Sequence, residues 1–233
     1  MISEIPMPKK ASPSTHRDVR STRRSVAIGG IADEPLTGTV PPYFTPHDID
    51  RLAGTPHIIE SPFVVVSLGV YRGELRRAVH QMKFRNARWI AARFGCNVAA
   101  ALQAQCTGWQ PDIVTWAPTT ARRIRLRGVD QSVVIATNLA RRLGVRRVRL
   151  LRRIDDRTQT GASRASRQRG PQYVVRTNGA RGRHILLVDD VMTTGTTLAR
   201  AREALLAAGA IEVRCAVIAH VMRQNSPGSA RVD

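Results

Sequence analysis

From Asp112 onward the chain repeats a block of three parts: a short apolar run, a polar loop, then an amphipathic stretch that stops at glycine. DIVTWAP reads as a strand closed by proline, TTARRIRLRG as a basic loop, and DQSVVIATNLARRL as a helix ended by Gly144. VRLLRR reads as a strand and DDRTQTGASRASRQRG as a long polar loop, followed by strands at QYVVRT and HILLVDD. TTLARAREALLAA is a helix stopped by Gly209, and EVRCAVIAHV is the last strand. Repeated strand–loop–helix units predict an α/β fold with a mostly parallel central sheet flanked by helices.

Upstream, SPFVVVSLGVY has the β-branched content of a strand. In GELRRAVHQMKF, Leu75, Val79 and Met82 fall on one helical stripe, with Arg76, Arg77 and Lys83 off it. A second helix is expected from Asn86 to Gln105, with Trp89, Phe94 and Leu102 in the core. Residues 1–60 mix Pro, Ser, Thr, Gly and charge without period and read as a poorly ordered tail, with a short turn at Asp48–Leu52. One domain is expected over 61–223 and a second tail over 224–233.

Composition narrows the picture. A chain of 233 residues suits one domain with tails. Aromatics make up only 4%, so the core must rest on Val, Leu, Ile and Ala. No apolar run approaches the roughly 20 residues of a membrane helix, and the N-terminus lacks the apolar centre of a secretory signal. A cytoplasmic protein without membrane insertion is expected. Cys96, Cys106 and Cys215 form no close pair and read as ordinary buried or half-buried thiols.

Charge adds a constraint of its own. The net charge is +20, and 34 of the 37 basic residues are arginine. Between Arg122 and Arg183 there are 18 arginines and three acids, Asp130, Asp155 and Asp156. A field of that sign attracts phosphates, on a small substrate or on single-stranded DNA. Codon bias in a GC-rich genome would also enrich arginine, so charge alone does not choose the anion.

The stretch HILLVDDVMTTGTT, from His184 to Thr197, carries the chemistry. Ile185–Val188 suits a central strand buried on both sides, which places Asp189 and Asp190 at the carboxyl end where α/β sheets bind ligands. Carboxylates there accept hydrogen bonds from sugar hydroxyls or join a hydrated Mg²⁺. The threonines around Gly195 lead into a helix whose N-terminus favours a phosphate. Neither a Walker A loop nor a dinucleotide fingerprint is present. The plainer alternative, Asp190 as a turn residue and Thr194 or Thr196 as a helix cap, explains one hydroxyl but not two acids with four threonines.

ILLVDDVMTTGTT resembles the phosphoribosyl pyrophosphate (PRPP) motif of type I phosphoribosyltransferases. The resemblance implies that family's fold, with a small hood, here expected within 63–105 as the acceptor-binding part. It places Asp189 and Asp190 on the ribose 2′- and 3′-hydroxyls as the catalytic acids. It puts Thr193, Thr194, Gly195, Thr196 and Thr197, with Val191 and Met192 leading in, around the 5′-phosphate. YRGELRRAVHQMKF, APTTARRIRLRGVDQS and RTQTGASRASRQRG extend the similarity to the ComF-type, competence-associated branch over about residues 63 to 222. Val129 and Asp130 depart from that branch's RGFNQS-like segment. The four-cysteine zinc element that many members carry before this domain has no counterpart in residues 1–60, which lack cysteine.

The same resemblance implies a pyrophosphate loop at Thr119, Thr120, Arg122, Arg123 and Arg127. It also implies a flexible closing loop over Asp155–Arg169, from which Gln159 and Arg167 are the candidates. Mg²⁺ would be held mainly by PRPP, with Asp189 or Asp190 joining, and side chains alone form no metal site. The implied function is phosphoribosyl transfer from PRPP to an unidentified nitrogenous acceptor, with release of pyrophosphate. The alternatives are a non-catalytic DNA-uptake accessory that binds single strands through the arginine-rich 122–183 region, and a PRPP-responsive regulator. Oligomeric state is open, a homodimer included.

Overall fold

The computed structural model describes residues 43–85, 87–154, 171–176 and 178–222, all within the compact unit Thr39–Asp233. Order begins earlier than the sequence pattern suggests. Helix α1 (Pro46–Leu52) starts at a capping box between Thr45 and Asp48, with proline in its first turn. Its Ile49 is fully buried. Strand β1 (His57–Ile59) pairs antiparallel with β2 (Val65–Ser67). The expectation of a tail through residue 60 is therefore corrected for 43–60. Besides the capping box and Ile49, Phe44, Leu52 and Ala53 pack against the core and Arg93 pairs with Asp50, contacts that a composition reading as loop does not announce. Residues 1–42 and the expected tail 224–233 lie outside the described residues.

Helices α2 (Gly73–Phe84) and α3 (Arg88–Gln105) follow, then β3 (Ile113–Trp116) and a short helix α4 (Ala121–Arg127). Next come α5 (Gln131–Leu143), the two-residue β4 (Arg146–Arg147), β5 (Leu151–Ile154) and β6 (Gln172–Val175). Strand β7 (His184–Met192), helix α6 (Thr196–Ala207) and β8 (Glu212–His220) complete the described chain. The main sheet has the order β1-β2-β8-β7-β3-β4 and is parallel except for β1. The expected mostly parallel α/β architecture is what forms.

Strand alternation divides the core in two. Leu186 and Val188 of β7 join Phe94, Val98, Ile135 and Leu139 of α3 and α5 on one face. Ile185 and Leu187 join Leu198, Ala201 and Leu205 of α6 on the other. Gly95 lets α3 approach α5, since a Cβ there would lie 2.5 Å from the Ile135 carbonyl oxygen. Cys106 and Cys215 are buried and Cys96 half-buried, as expected of free thiols.

Four local expectations are corrected. TTARRIRLRG holds the helix α4, capped by the Thr120 hydroxyl on the Arg123 amide and ended by Gly128 in the left-handed region. Its Ile124 and Leu126 are exposed, so no buried stripe announced it. VRLLRR, residues 148–153, is strand only from Leu151: β5 stands apart from the main sheet in a two-stranded ribbon with β6, while the edge strand β4 lies just before the run. Trp89 is 43% exposed, although Phe94 and Leu102 are core. Within 63–105, β2 belongs to the central sheet and α3 packs against α5, so only part of that stretch stands as a hood.

Candidate functional site

Each residue of the acid pair is held from a different direction. Asp190 is in phase with Leu186 and Val188, and it meets α2. There, Lys83 Nζ lies 3.0 Å from Asp190 Oδ2, both side chains being only about 15% exposed. Asp189 Oδ1 accepts the Ser132 hydroxyl of α5 at 3.2 Å and the Asp190 backbone N–H at 2.8 Å. Burial first, and then the neighbouring Asp190 charge, push the Asp189 carboxyl up to about 7.

Asp130 is a third acid in the cluster. It caps α5 by accepting the Ser132 N–H at 3.2 Å, and its other oxygen accepts the Thr119 N–H at 3.3 Å. Burial raises its pKa as well. The branch's amide position therefore carries an acid here that ties the loop after β3 to the start of α5.

The loop after β7 has the geometry a phosphate needs. Gly195 sits at φ +76°, a left-handed conformation that other residues adopt only with strain, and it forms the N-cap of α6. As a glycine it offers no side-chain cap; the Thr196 amide donates to the Thr194 hydroxyl at 3.4 Å, and the Thr197 and Leu198 amides of the first turn face no cap. The Thr194 and Thr196 hydroxyls lie 2.9 Å apart, and both belong to residues at the loop's rim. Neither threonine is the N-cap residue. Thr193 and Thr194 are exposed, whereas Val191, Met192, Thr196 and Thr197 are half-buried.

Strand β3 is the neighbour of β7, which brings the loop after it beside the acids. Thr119 and Thr120 are half-buried there. Arg127 at the end of α4 faces the cluster: its guanidinium lies 5.3 Å from the Phe84 ring centre and feels the charges of Asp190, Asp130 and Asp189. Burial lowers its pKa, with those carboxylates opposing the effect. Arg122 and Arg123 are exposed on α4. Gln159 and Arg167 lie outside the described residues, as does the rest of 155–170.

Sequence reasoning missed Lys83 and Ser132 as site residues, and it named Asp130 only as a departure from a motif. It also missed Tyr173, which stands opposite Arg153 in the β5–β6 ribbon. Burial pushes the Tyr173 phenol up to about 12, and the Asp189 charge adds to the shift. Lys83 carried one legible signal, being the sole lysine after residue 10 in an arginine-rich chain. No cluster of three or more His, Cys, Asp or Glu that could hold a metal occurs among the described residues, and no described helix is long and apolar enough to cross a membrane.

A family model for the phosphoribosyl transferase domain matches residues 129–232. The DNA utilization protein YhgH of Salmonella typhimurium is 33% identical over 161 residues, covering 64% of this chain and 69% of that protein. The protein of the same name from Escherichia coli K12 is 32% identical over 161 residues, with the same coverage. Among solved structures, glutamine PRPP amidotransferase from B. subtilis overlaps with a TM-score of 0.39 at 25% identity, over 55% of this chain. That match spans only 26% of the amidotransferase chain. An adenine phosphoribosyltransferase overlaps with a TM-score of 0.41 at 14% identity, over 74% of this chain and 89% of its own.

Proposed function

The chain belongs to the ComF-type branch of the phosphoribosyltransferase family, and from that premise we propose that it binds PRPP and transfers its phosphoribosyl group to a nitrogenous acceptor. The observation that carries this reading is the placement of Asp189 and Asp190 at the carboxyl end of β7, directly before a glycine-turned helix N-terminus. Ionised carboxylates accept from a vicinal diol, and the amides and hydroxyls of residues 193–197 donate to the 5′-phosphate. One site thus matches both ends of a ribose 5-phosphate.

In the reaction the acceptor nitrogen forms a bond to ribose C1 as the C1–oxygen bond to pyrophosphate breaks, and the nitrogen loses its proton. Arg127, with Thr119 and Thr120 beside it, stabilises the charge that grows on pyrophosphate. Arg122 and Arg123, exposed on α4, add to the positive field at the mouth. Mg²⁺ would be brought by the donor's phosphate oxygens, with Asp189 or Asp190 joining them, there being no three-ligand cluster for it among the described residues. When bound, the metal supplies positive charge to the leaving pyrophosphate.

The test is a melting curve with Mg²⁺ and millimolar PRPP, followed by a screen of nitrogen bases for pyrophosphate release. PRPP should raise the melting temperature by several degrees, since ligand at 100 times Kd contributes about 2.7 kcal/mol. The double substitution Asp189→Asn and Asp190→Asn should remove the shift. An unchanged melting temperature for the wild-type chain would sink the PRPP reading. A shift without release of pyrophosphate from any base would favour a PRPP-responsive regulator.

A second reading is favoured by one feature. Arg141 and Arg142 on α5, Arg146 on the edge strand β4, Arg149 after it and Arg152 on β5 are exposed, and no carboxylate of the described residues pairs with them. Such a face suits the phosphates of a single strand, and the relatives' name as DNA utilization proteins agrees with it. Tyr173, the one aromatic of the 122–183 region, is half-buried and offers no open stacking platform, so this role would be backbone-directed.

A further inference from the structure

The hood helix α2 enters the donor site through Lys83. Three contacts fix the end of α2 from which Lys83 projects. Leu75, Val79 and Met82 are buried in the core. The Gln131 side-chain amide donates to the Met82 carbonyl at 3.4 Å. On the other flank Arg127 covers the Phe84 ring at 5.3 Å. Lys83 is therefore presented by a rigid element, and its ammonium sits 3.0 Å from Asp190 in a largely desolvated pair.

The two acids differ in what holds them. Asp189 is fixed by hydrogen bonds from Ser132 and from the backbone of its own motif. Asp190 has no such hydrogen bond among the described residues, and its cation comes from a separate part of the fold. An ion pair shielded from water holds geometry better than an exposed one, and breaking it leaves an uncompensated charge.

We infer that Lys83 is a positioning residue for the ribose: by fixing the Asp190 carboxylate it sets the acceptor pair for the vicinal diol, which makes sugar recognition depend on the hood helix. This rests on the donor reading above. It separates two jobs in the site. The phosphate end is recognised by the loop and helix N-terminus, which Lys83 does not touch, and the sugar end requires the contact between α2 and β7. Placement of the hood and recognition of the donor are then linked through one ion pair.

The test is titration calorimetry with Mg²⁺ and three probes: PRPP, ribose 5-phosphate and inorganic pyrophosphate. The chains compared are wild type, Lys83→Met, Lys83→Arg, Asp190→Asn and the double variant Lys83→Met/Asp190→Asn. Lys83→Met should weaken PRPP and ribose 5-phosphate about tenfold while leaving pyrophosphate within about twofold, and Lys83→Arg should recover most of the loss. In the Asp190→Asn background, Lys83→Met should cost little more. Equal weakening of pyrophosphate would overturn the inference by making Lys83 a phosphate contact. Unchanged affinity in Lys83→Met, or the same loss with and without Asp190, would overturn it while the donor reading stands. Failure of wild type to bind PRPP overturns both. If Lys83→Met does not fold, Lys83→Gln takes its place: a loss on ribose 5-phosphate but not on pyrophosphate, recovered in Lys83→Arg, supports the inference, and a loss on both probes or on neither overturns it.

Discussion

Asp189 shows how a buried carboxylate opposes the stability of the fold that carries it. Its folded-state pKa stands near 7, above the ordinary 3.8, because burial and Asp190 disfavour its charge. A raised carboxyl binds its proton more tightly when folded. Its contribution to stability is fully present below the unfolded value and is lost as pH rises through the folded one. The unliganded Asp189→Asn chain, neutral at every pH, should therefore melt a few degrees above wild type at pH 8, with the gap closing toward pH 4. PRPP affinity should move the opposite way, rising between pH 6 and 8 as the acceptor ionises, and the rise should vanish in Asp189→Asn. Melting curves and titrations across that range check both halves. A flat affinity profile in wild type would show that the carboxylate is not what the ligand reads. The motif alone identified Asp189 and Asp190, but it could not say that one would answer to Ser132 and the other to Lys83.

Among the elements, the contact between α3 and α5 illustrates what periodicity can and cannot convey. The apolar stripes of both helices are plain in the sequence. That Gly95 is where their backbones meet is not, because a lone glycine in a helix reads as a weak point. With only 2.5 Å to the Ile135 carbonyl oxygen, a Cβ at Gly95 forces the helices apart. Gly95→Ala should cost about 1–3 kcal/mol by denaturant unfolding, with the gain in helix propensity unable to offset it. α5 carries Ser132 and Asp130, so some loss of PRPP affinity should accompany the loss of stability. A neutral or stabilising outcome would show that the packing relaxes there. The failures at this scale have one cause. α4 is capped by Thr120 and Gly128 but buries no stripe, and β4, two exposed arginines, joins the main sheet while β5, with the apolar Leu151, pairs in the ribbon. Hydrophobic pattern reports burial, not partner.

At the scale of the whole molecule, the charge of +20 is spread over an edge and not only over the donor site. If the arginines near β4 bind a single strand, replacing Arg141, Arg142, Arg146 and Arg149 with alanine should flatten the salt dependence. The slope of log affinity against log salt should fall by about 2–3, at roughly 0.7 for each phosphate no longer neutralised. The PRPP-induced melting shift should remain, because none of the four approaches the acid pair. Fluorescence anisotropy with a labelled oligonucleotide at several salt concentrations measures the first, and the melting curve the second. A substituted chain that binds DNA with an unchanged slope would remove this face from consideration.

The alternation of strand and helix after Asp112, α4 apart, the two-sided burial of β7 and the strand–acid–acid–loop–helix signature were all determined locally. Each depends on residues within a few positions of one another, so each was open to a sequence reading. What only the tertiary structure decided are the contacts across long sequence separations. Lys83 and Asp190 lie 107 positions apart, and Ser132 and Asp189 lie 57 apart. Such pairs are set by which helix packs on which face of the sheet, and that choice is collective. The sequence specified a strand end with two adjacent acids before a glycine-turned helix, and the packing of α2 and α5 decided that Lys83 and Ser132 hold those acids.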